Sequence, residues 1–448
     1  MNKMKILDYE KITLNITDLG MNGEGIAHLN DKTYFVENAL TSETVEAKVL
    51  NSTKNIVNAK CVKILNESKF RVNPICPYFY ECGGCDFQHL EYLKSLDFKQ
   101  KQILLLLKKI AGIDYKKNIE IIKSDNPFFY RNKLTMQIKT NNNIAQLCYY
   151  KKQSHDPVFV NNCYIVNEKF KIVIDLVNKF LKDEKVLSYN EKTKTGYAKH
   201  IVARIINNKL LLTFVSVKNF FPSVDKLFTS LLQHFDEVGI NLNVNPKDNE
   251  ILSNTFMNLK GTNFIEFKSL NISQKITNAS FLQVNFNVQE KLYSYVLKNV
   301  SGLIVNAYSG AGLLSCFIAK NSSLLVNKVI GLEINNEATK LANELVKTND
   351  IINVKNICAD ASIKLRKLNF NNYTLILDPP RSGIDDLMIK TILDQKPNKI
   401  IYISCSLNSL CKNLKELISE YQIEEIKGFD MFPQTKNLET VVILKRRD

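Results

Sequence analysis

From about residue 266 the chain alternates short apolar runs with stretches of helical length: "GLIVNAYSGAG", "LLSCFIAKN", "KVIGLEIN", "NEATKLANELVKTND", "VKNICAD", "YTLILDPPR", "KIIYISCS" and "VVILKRRD". Apolar strands separated by helices have few ways to bury both partners. The stable solution is a doubly wound, mostly parallel sheet with helices on both faces, an α/β architecture of Rossmann-like type. Such sheets bind ligands in the crevice beyond the carboxyl ends of their strands, so the residues that follow each run are the first candidates for a site.

The rest of the 448-residue chain exceeds what one hydrophobic core organises, and two to three domains are expected. Residues 1–67 carry short, closely spaced β-like runs ("KITLNITDLG", "GEGIAHLND", "KTYFVENAL", "ETVEAKVLNS", "IVNAKCVKIL") that suggest a five-stranded OB-type β-barrel, a shape that often presents an RNA-binding surface. Residues 68–265 read as an α+β middle domain that opens on a cysteine-containing loop. A helical segment follows over 90–112, closed by Gly112, and it packs with either the middle or the last domain. Residues 266–448 are the α/β domain. No apolar run approaches the roughly 18 to 20 residues of a membrane span, and the N-terminus lacks a signal-peptide core, so a cytoplasmic protein with no membrane association is expected, acting as a monomer. The net charge of +15 favours a polyanionic partner, because clustered Lys and Arg release condensed counterions from phosphates. The wealth of Lys, Asn and Ile, with no Trp, also fits an AT-rich coding bias, which raises lysine without any partner.

In the α/β domain, "VNAYSGAG" runs a strand into Ser309-Gly310-Ala311-Gly312, where glycines let the backbone turn tightly toward a ligand at a helix N-terminus. The next strand ends in Glu333, where a carboxylate can accept hydrogen bonds from both hydroxyls of a ribose; capping the following helix is its other use. The positions after Gly312 are Leu313 and Leu314, so the third glycine of a pyrophosphate-gripping turn is missing. That favours a nucleoside cofactor without pyrophosphate, S-adenosylmethionine, over NAD. A further strand ends at Asp378, and Pro379-Pro380 then stiffens the sheet edge by fixing φ and removing two donors. An aromatic residue after "DPP" would suit methylation of an exocyclic amine; here Arg381 follows, and Cys405 and Glu439 come later at the same edge. A cysteine and a carboxylate there suit chemistry on an unactivated carbon. C5 of uracil is too weak a nucleophile to attack a methyl sulfonium. A thiolate must first add to C6, and a base must later remove the C5 proton so that the thiolate can leave.

Ten cysteines in a cytosolic chain do not suggest a disulfide framework. Cys76, Cys82 and Cys85 cluster in "CPYFYECGGC", and clustering suggests metal. A fourth ligand is needed, and four thiolates serve zinc and an iron–sulfur cluster alike.

The segments "SFLQVNFNVQEKLY", "YSGAG", "GLEIN", "LDPPRSG", "YISCS" and "DMFPQTKNLETV" together resemble the S-adenosylmethionine-dependent RNA uracil-5-methyltransferase family. "DLGMNGEGIAHLND" with "VENALTSETVEAKV" resembles the TRAM module that precedes such domains. The resemblance implies that Gln283, Tyr308, Glu333 and Asp378 contact the cofactor, that Cys405 is the nucleophile and that Glu439 is the base. It also implies a [4Fe-4S] cluster on Cys76, Cys82, Cys85 and Cys163, with Cys148 the runner-up for the fourth place. The cluster and the TRAM module favour 23S ribosomal RNA as the partner over transfer RNA. The alternatives are the same reaction on transfer RNA and a non-catalytic RNA-binding iron–sulfur protein, and the latter predicts damage at Cys405 or Glu439. Aromatic and basic residues of "FFYRNK", Phe129, Tyr130, Arg131 and Lys133, are candidates to support displaced RNA. Four positions depart from the family pattern: Asn306 replaces an acidic residue, Ser309 a frequent cysteine, Ser406-Leu407 a common Asn-Pro, and Asn437 a histidine.

Overall fold

A computed structural model describes residues 11–247, 250–277, 279–322, 325–368, 370 and 372–447. The chain forms two compact units: Met1–Gln102 with Tyr150–His155 and Phe432–Lys436, and the remainder.

The first unit is built on a six-stranded sheet with strands Lys11–Asn15, Asp18–Leu19, Gly25–Leu29, Lys32–Glu37, Thr44–Ser52 and Ile56–Asn66. One more strand is present than the five expected, because the two residues Asp18–Leu19 pair with Gly25–Ile26. Period-two alternation places Leu14, Tyr34, Val36, Val45, Ala47, Val57 and Ala59 on one side as the core. The loop that follows is fastened by a buried ion pair. The Arg71 guanidinium donates from Nε to Glu43 Oε1 at 2.6 Å and from Nη2 to Glu43 Oε2 at 2.8 Å and to the Asn38 carbonyl at 2.9 Å. Phe87, Leu90 and Phe98 pack beneath the loop against Leu40.

The second unit holds two large sheets. The middle region forms a seven-stranded sheet that includes Lys133–Asn141, Ala198–Ile206, Lys209–Ser216 and Glu237–Val244. Here "KLTMQIKT", "AKHIVARII" and "KLLLTFVS" are strands. Residues 266 onward do not start directly into the α/β rhythm. Phe264–Ser269 and Ile272–Thr277 first make a two-stranded antiparallel hairpin, turning at Leu270 and Asn271, both with positive φ.

The α/β domain then runs α1 (Phe286–Lys298), β1 (Gly302–Ala307), α2 (Leu313–Asn321), β2 (Val326–Glu333), α3 (Asn336–Thr348), β3 (Val354–Cys358) and α4 (Ala361–Lys367). It continues with β4 (Tyr373–Leu377), α5 (Asp386–Gln395), β5 (Lys399–Ser404), α6 (Leu407–Leu417), β6 (Tyr421–Phe429) and β7 (Glu439–Arg446). The strand order is 3-2-1-4-5-7-6, and Glu120–Ile122 adds an eighth strand beside β6. Strands 1 to 5 are parallel, while β7 is antiparallel to both β5 and β6. Leu375, Leu377, Ile400, Tyr402, Val442 and Leu444 form the sheet's share of a core closed by Met388 and Ile392 of α5 and Leu410, Leu414 and Leu417 of α6. Burying apolar side chains on both sheet faces explains why these strands read as unbroken apolar runs. Among the described residues no helix is long and apolar enough to cross a membrane.

Candidate active site

The order reversal between β1 and β4 opens the crevice expected of this topology, and the residues that end β1, β2, β4 and β5 surround it. After Ala307 the chain turns through Tyr308 (φ 62°), Gly310 (φ 54°) and Gly312 (φ 80°) into α2. Gly312 is required on two counts: its positive φ, and a Cβ there would lie 2.8 Å from the Ala342 Cβ. Glu333 accepts from the Gly310 amide at 2.9 Å and from the Asn335 amide at 2.8 Å. The cap of α3 is Asn335, whose side chain accepts from the Ala338 amide, so Glu333 is left to brace the glycine turn and face the crevice. Around this turn Ser309 Oγ, Asn306 Oδ1 and Asn356 Oδ1 are buried polar atoms with no protein partner. A crevice with a carboxylate, a glycine turn and orphaned acceptors fits a polar nucleoside ligand.

Asn306 is 1% exposed and donates to Ser315 Oγ at 2.9 Å, tying β1 to the first turn of α2. A neutral amide performs that structural task without the cost of burying a charge. The Tyr308 phenol is pushed up to about 12, first by burial and then by the Asp385 carboxylate, against a hydrogen bond with Ser362. Ser362 Oγ in turn donates to Asp385 Oδ1 at 3.3 Å. Gln283 lies on the segment that enters α1, where Asn132 Nδ2 donates to its carbonyl at 2.9 Å. Two residues later Asn285 caps α1. The buried Tyr293 of α1 feels the charge of Asp378, so this helix borders the same crevice.

Asp378 follows β4. The protein packed round it raises its carboxyl above the usual range. Asp378 is exposed at the sheet edge, so water there screens that rise.

Cys405 comes directly after β5, and Glu439 is the first residue of β7. Ser404 pairs with Thr440 across these antiparallel strands, so one further step along each brings Cys405 and Glu439 to the same end of the sheet. Glu439 is 6% exposed and is pushed up to about 8 by burial, with Asp378 adding and Arg381 opposing. The Cys405 thiol is raised by burial, then by the Glu439 charge; Arg381 lowers it and Asp378 raises it. Four groups therefore share one electrostatic neighbourhood, and Arg381 is its cation. Sequence reasoning noted Arg381 only as a non-aromatic residue after "DPP".

The loop bearing Arg381 is clamped to α6. Ser409 Oγ donates to the Arg381 carbonyl at 2.6 Å, and Asn413 exchanges hydrogen bonds with the Ile384 backbone. Gly383 (φ 83°) permits the approach, since a Cβ there would sit 2.5 Å from Asn413 Oδ1. Ser406 is the N-cap of α6, its Oγ accepting from the Ser409 amide at 3.4 Å, while its own amide donates to Ser404 Oγ at 3.2 Å. Ser406-Leu407 thus fills the N-cap and first helical positions, which Asn-Pro also suits. Cys405 stands just before that helix start, where the dipole favours a thiolate. Asn437 is exposed.

Cys76, Cys82 and Cys85 belong to the first unit and Cys163 to the second. The Cys76 amide donates to Gln88 Oε1 at 3.2 Å and Gln88 Nε2 donates to Cys85 Sγ at 3.3 Å, so one amide spans the loop and offers a donor to sulfur. That donor chemistry fits a thiolate-held group. Among the described residues no set of three or more His, Cys, Asp or Glu side chains is placed to hold a metal ion. Cys148 is fully buried in a strand, and burial pushes its thiol up to about 12.

Residues 91–447 match the family model described as tRNA (Uracil-5-)-methyltransferase, and residues 9–62 match the TRAM domain. An uncharacterized RNA methyltransferase of Clostridium acetobutylicum is 32% identical over 98% of this chain and 97% of its own. Another from Staphylococcus epidermidis is 30% identical over 97% of each. The crystal structure of Pyrococcus abyssi tRNA (uracil-54, C5)-methyltransferase with S-adenosyl-L-homocysteine superposes with a TM-score of 0.77 over 97% of this chain and all of that one, at 24% identity, and so shares the fold. With the family model spanning most of its length, the chain belongs to the tRNA (uracil-5-)-methyltransferase family and is an RNA methyltransferase by class.

Proposed function

We propose that this protein transfers a methyl group from S-adenosylmethionine to C5 of a uridine in 23S ribosomal RNA through a covalent adduct between Cys405 and C6 of the base. The observation that carries this reading is the meeting of Cys405 and Glu439 at one end of antiparallel β5 and β7, with Arg381 and Asp378 in range of both.

Bound S-adenosylmethionine would supply an electrophilic methyl on a sulfonium. Glu333 suits the ribose hydroxyls, and Gln283, Tyr308 and Asp378 complete the cofactor's surroundings. Arg381 offsets the negative charge that forms as the Cys405 thiol gives up its proton to solvent water. The Cys405 sulfur bonds to C6, and the C5=C6 electrons move toward C5 and O4. C5 then takes the methyl group as the bond from that methyl to sulfur breaks. Glu439 removes the C5 proton, the C5–H electrons restore the double bond, and the C6–sulfur bond breaks to release the thiolate. A base pushed up to about 8 has the strength this step asks for, close to the working pH. The target base must leave its stack to expose a ring face to sulfur.

The choice of ribosomal RNA is supported by the TRAM module and by the cysteine loop. Transfer RNA is the second reading, favoured by the fold shared with the archaeal transfer RNA enzyme. A [4Fe-4S] cluster on Cys76, Cys82, Cys85 and Cys163 rests on donor chemistry and takes part in no step above. We read residues 1–67, 68–265 and 266–448 as barrel, middle and catalytic domains of a cytoplasmic monomer.

The test is a trapped adduct. Glu439→Gln incubated with RNA and S-adenosylmethionine should accumulate a covalent protein–RNA species, absent when Cys405 is also changed to Ala. Prompt release of methylated RNA by Glu439→Gln would overturn the assignment of the base.

A further inference from the structure

Deep in the middle domain, Arg204 lies in the apolar strand "AKHIVARII" and is 3% exposed. It pairs in register with Lys133 on the neighbouring antiparallel strand, so both side chains point to the same sheet face. Arg131 precedes Lys133 by two residues and donates from Nε to the Lys133 carbonyl at 3.2 Å. Three cations therefore share one small region, and among the described residues no carboxylate pairs with any of them. Arg204 Nη2 donates to the Ser280 carbonyl at 2.7 Å, but its Nε and Nη1 are enclosed without a partner.

The arrangement is costly. Lys133 is pushed down to about 8 by burial and then by Arg204 and Arg131, and Arg204 down to about 10 by burial and then by Arg131. Gathering like charges with no counter-ion destabilises a fold, and removing one enclosed charge would relieve it. A chain that keeps three invites an external anion.

We propose that Arg131, Lys133 and Arg204 form a binding site for a backbone phosphodiester of the RNA substrate. This rests on the RNA-methylating reading above and names a contact within it. Arg131 and Lys133, both half-buried, present the accessible donors, and the enclosed Arg204 adds charge from beneath. The site adjoins the segment from Ser280 to Val284. Arg204 holds the Ser280 carbonyl at one end, and Asn132 holds the Gln283 carbonyl and donates its own amide to the Val284 carbonyl at 3.0 Å. A phosphate seated there would be registered against the segment that carries Gln283. Backbone contacts fix register without reading sequence, so the effect should be uniform across RNAs.

The test measures binding of a fluorescently labelled RNA hairpin with uridines in its loop, as a function of KCl, for the full-length protein and for Arg131→Gln, Lys133→Gln, the double variant and Arg204→Gln. S-adenosyl-L-homocysteine affinity and thermal melting are followed in parallel. Each charge removed should lower the slope of log affinity against log salt by about 1, with S-adenosyl-L-homocysteine affinity unchanged. If Arg204→Gln fails to fold, the half-buried pair Arg131 and Lys133 decides the matter alone. Unchanged affinity and slope in the double variant would overturn the site, as would a loss confined to S-adenosyl-L-homocysteine binding. Lost slope in variants of a protein that binds RNA but methylates no uridine would leave the phosphate site standing and sink the reaction. A wild-type protein that binds no RNA would sink both.

Discussion

At the scale of single residues, the site is a small set of charges whose values depend on one another. Glu439 is raised by burial to about 8, against an unfolded value near the ordinary range for Glu. A carboxyl raised on folding contributes stability that is fully present below its unfolded pKa and is lost as pH rises through its folded pKa. Glu439→Gln should therefore melt higher than the wild type, with the gap widening from about pH 5 to pH 9, each kcal/mol moving the midpoint by about 2–4 °C. Thermal scans across that range check it; a gap constant with pH would contradict the raised carboxyl. Arg381 lowers both Cys405 and Glu439. Arg381→Gln should thus slow adduct formation by about tenfold to a hundredfold at pH 7 and recover part of the loss at higher pH, read from single-turnover rates against pH. Cys405 and Glu439 were legible in the sequence because each adjoins a strand at the ligand edge. Arg381 was not, since its importance comes from spatial neighbours on β5 and β7, which sequence spacing does not reveal.

At the scale of elements, the helix start after Cys405 does two tasks. Ser406 caps α6, and Ser409 and Asn413 on that helix hold the Arg381 loop. Ser406→Ala should cost about 1 kcal/mol in denaturant unfolding and also reduce turnover, whereas Ser406→Asn with Leu407→Pro should retain both, because it supplies an equivalent cap and first turn. Loss of activity in the double change would show that this departure from the family carries function of its own. Strand and helix alternation was readable from apolar runs. The 3-2-1-4-5-7-6 order was not, because pairing β5 with β7 rather than β6 is a long-range choice. The extra strand at Asp18–Leu19 escaped for the opposite reason: two residues carry no period. Arg204 was invisible as a candidate because an arginine in "AKHIVARII" looks like an ordinary strand residue until its register with Lys133 is known.

At the scale of the whole molecule, each compact unit has its own means of holding together. In the first, the bidentate Arg71–Glu43 pair is almost entirely enclosed, with side chains 5% and 0% exposed. Arg71→Ala would strand a buried carboxylate and should destabilise that unit by about 3–5 kcal/mol, measurable as an earlier unfolding transition. The second unit contains all the proposed chemistry, and the family model spans residues 91–447. The central claim concerns what this assembly does to RNA. The direct measurement is 5-methyluridine mapped by mass spectrometry in ribosomal and transfer RNA from cells with the protein, without it, and with Cys405→Ala in its place. The account predicts that 5-methyluridine disappears from 23S ribosomal RNA both without the protein and with Cys405→Ala; an unchanged map, or a loss confined to transfer RNA, would contradict it.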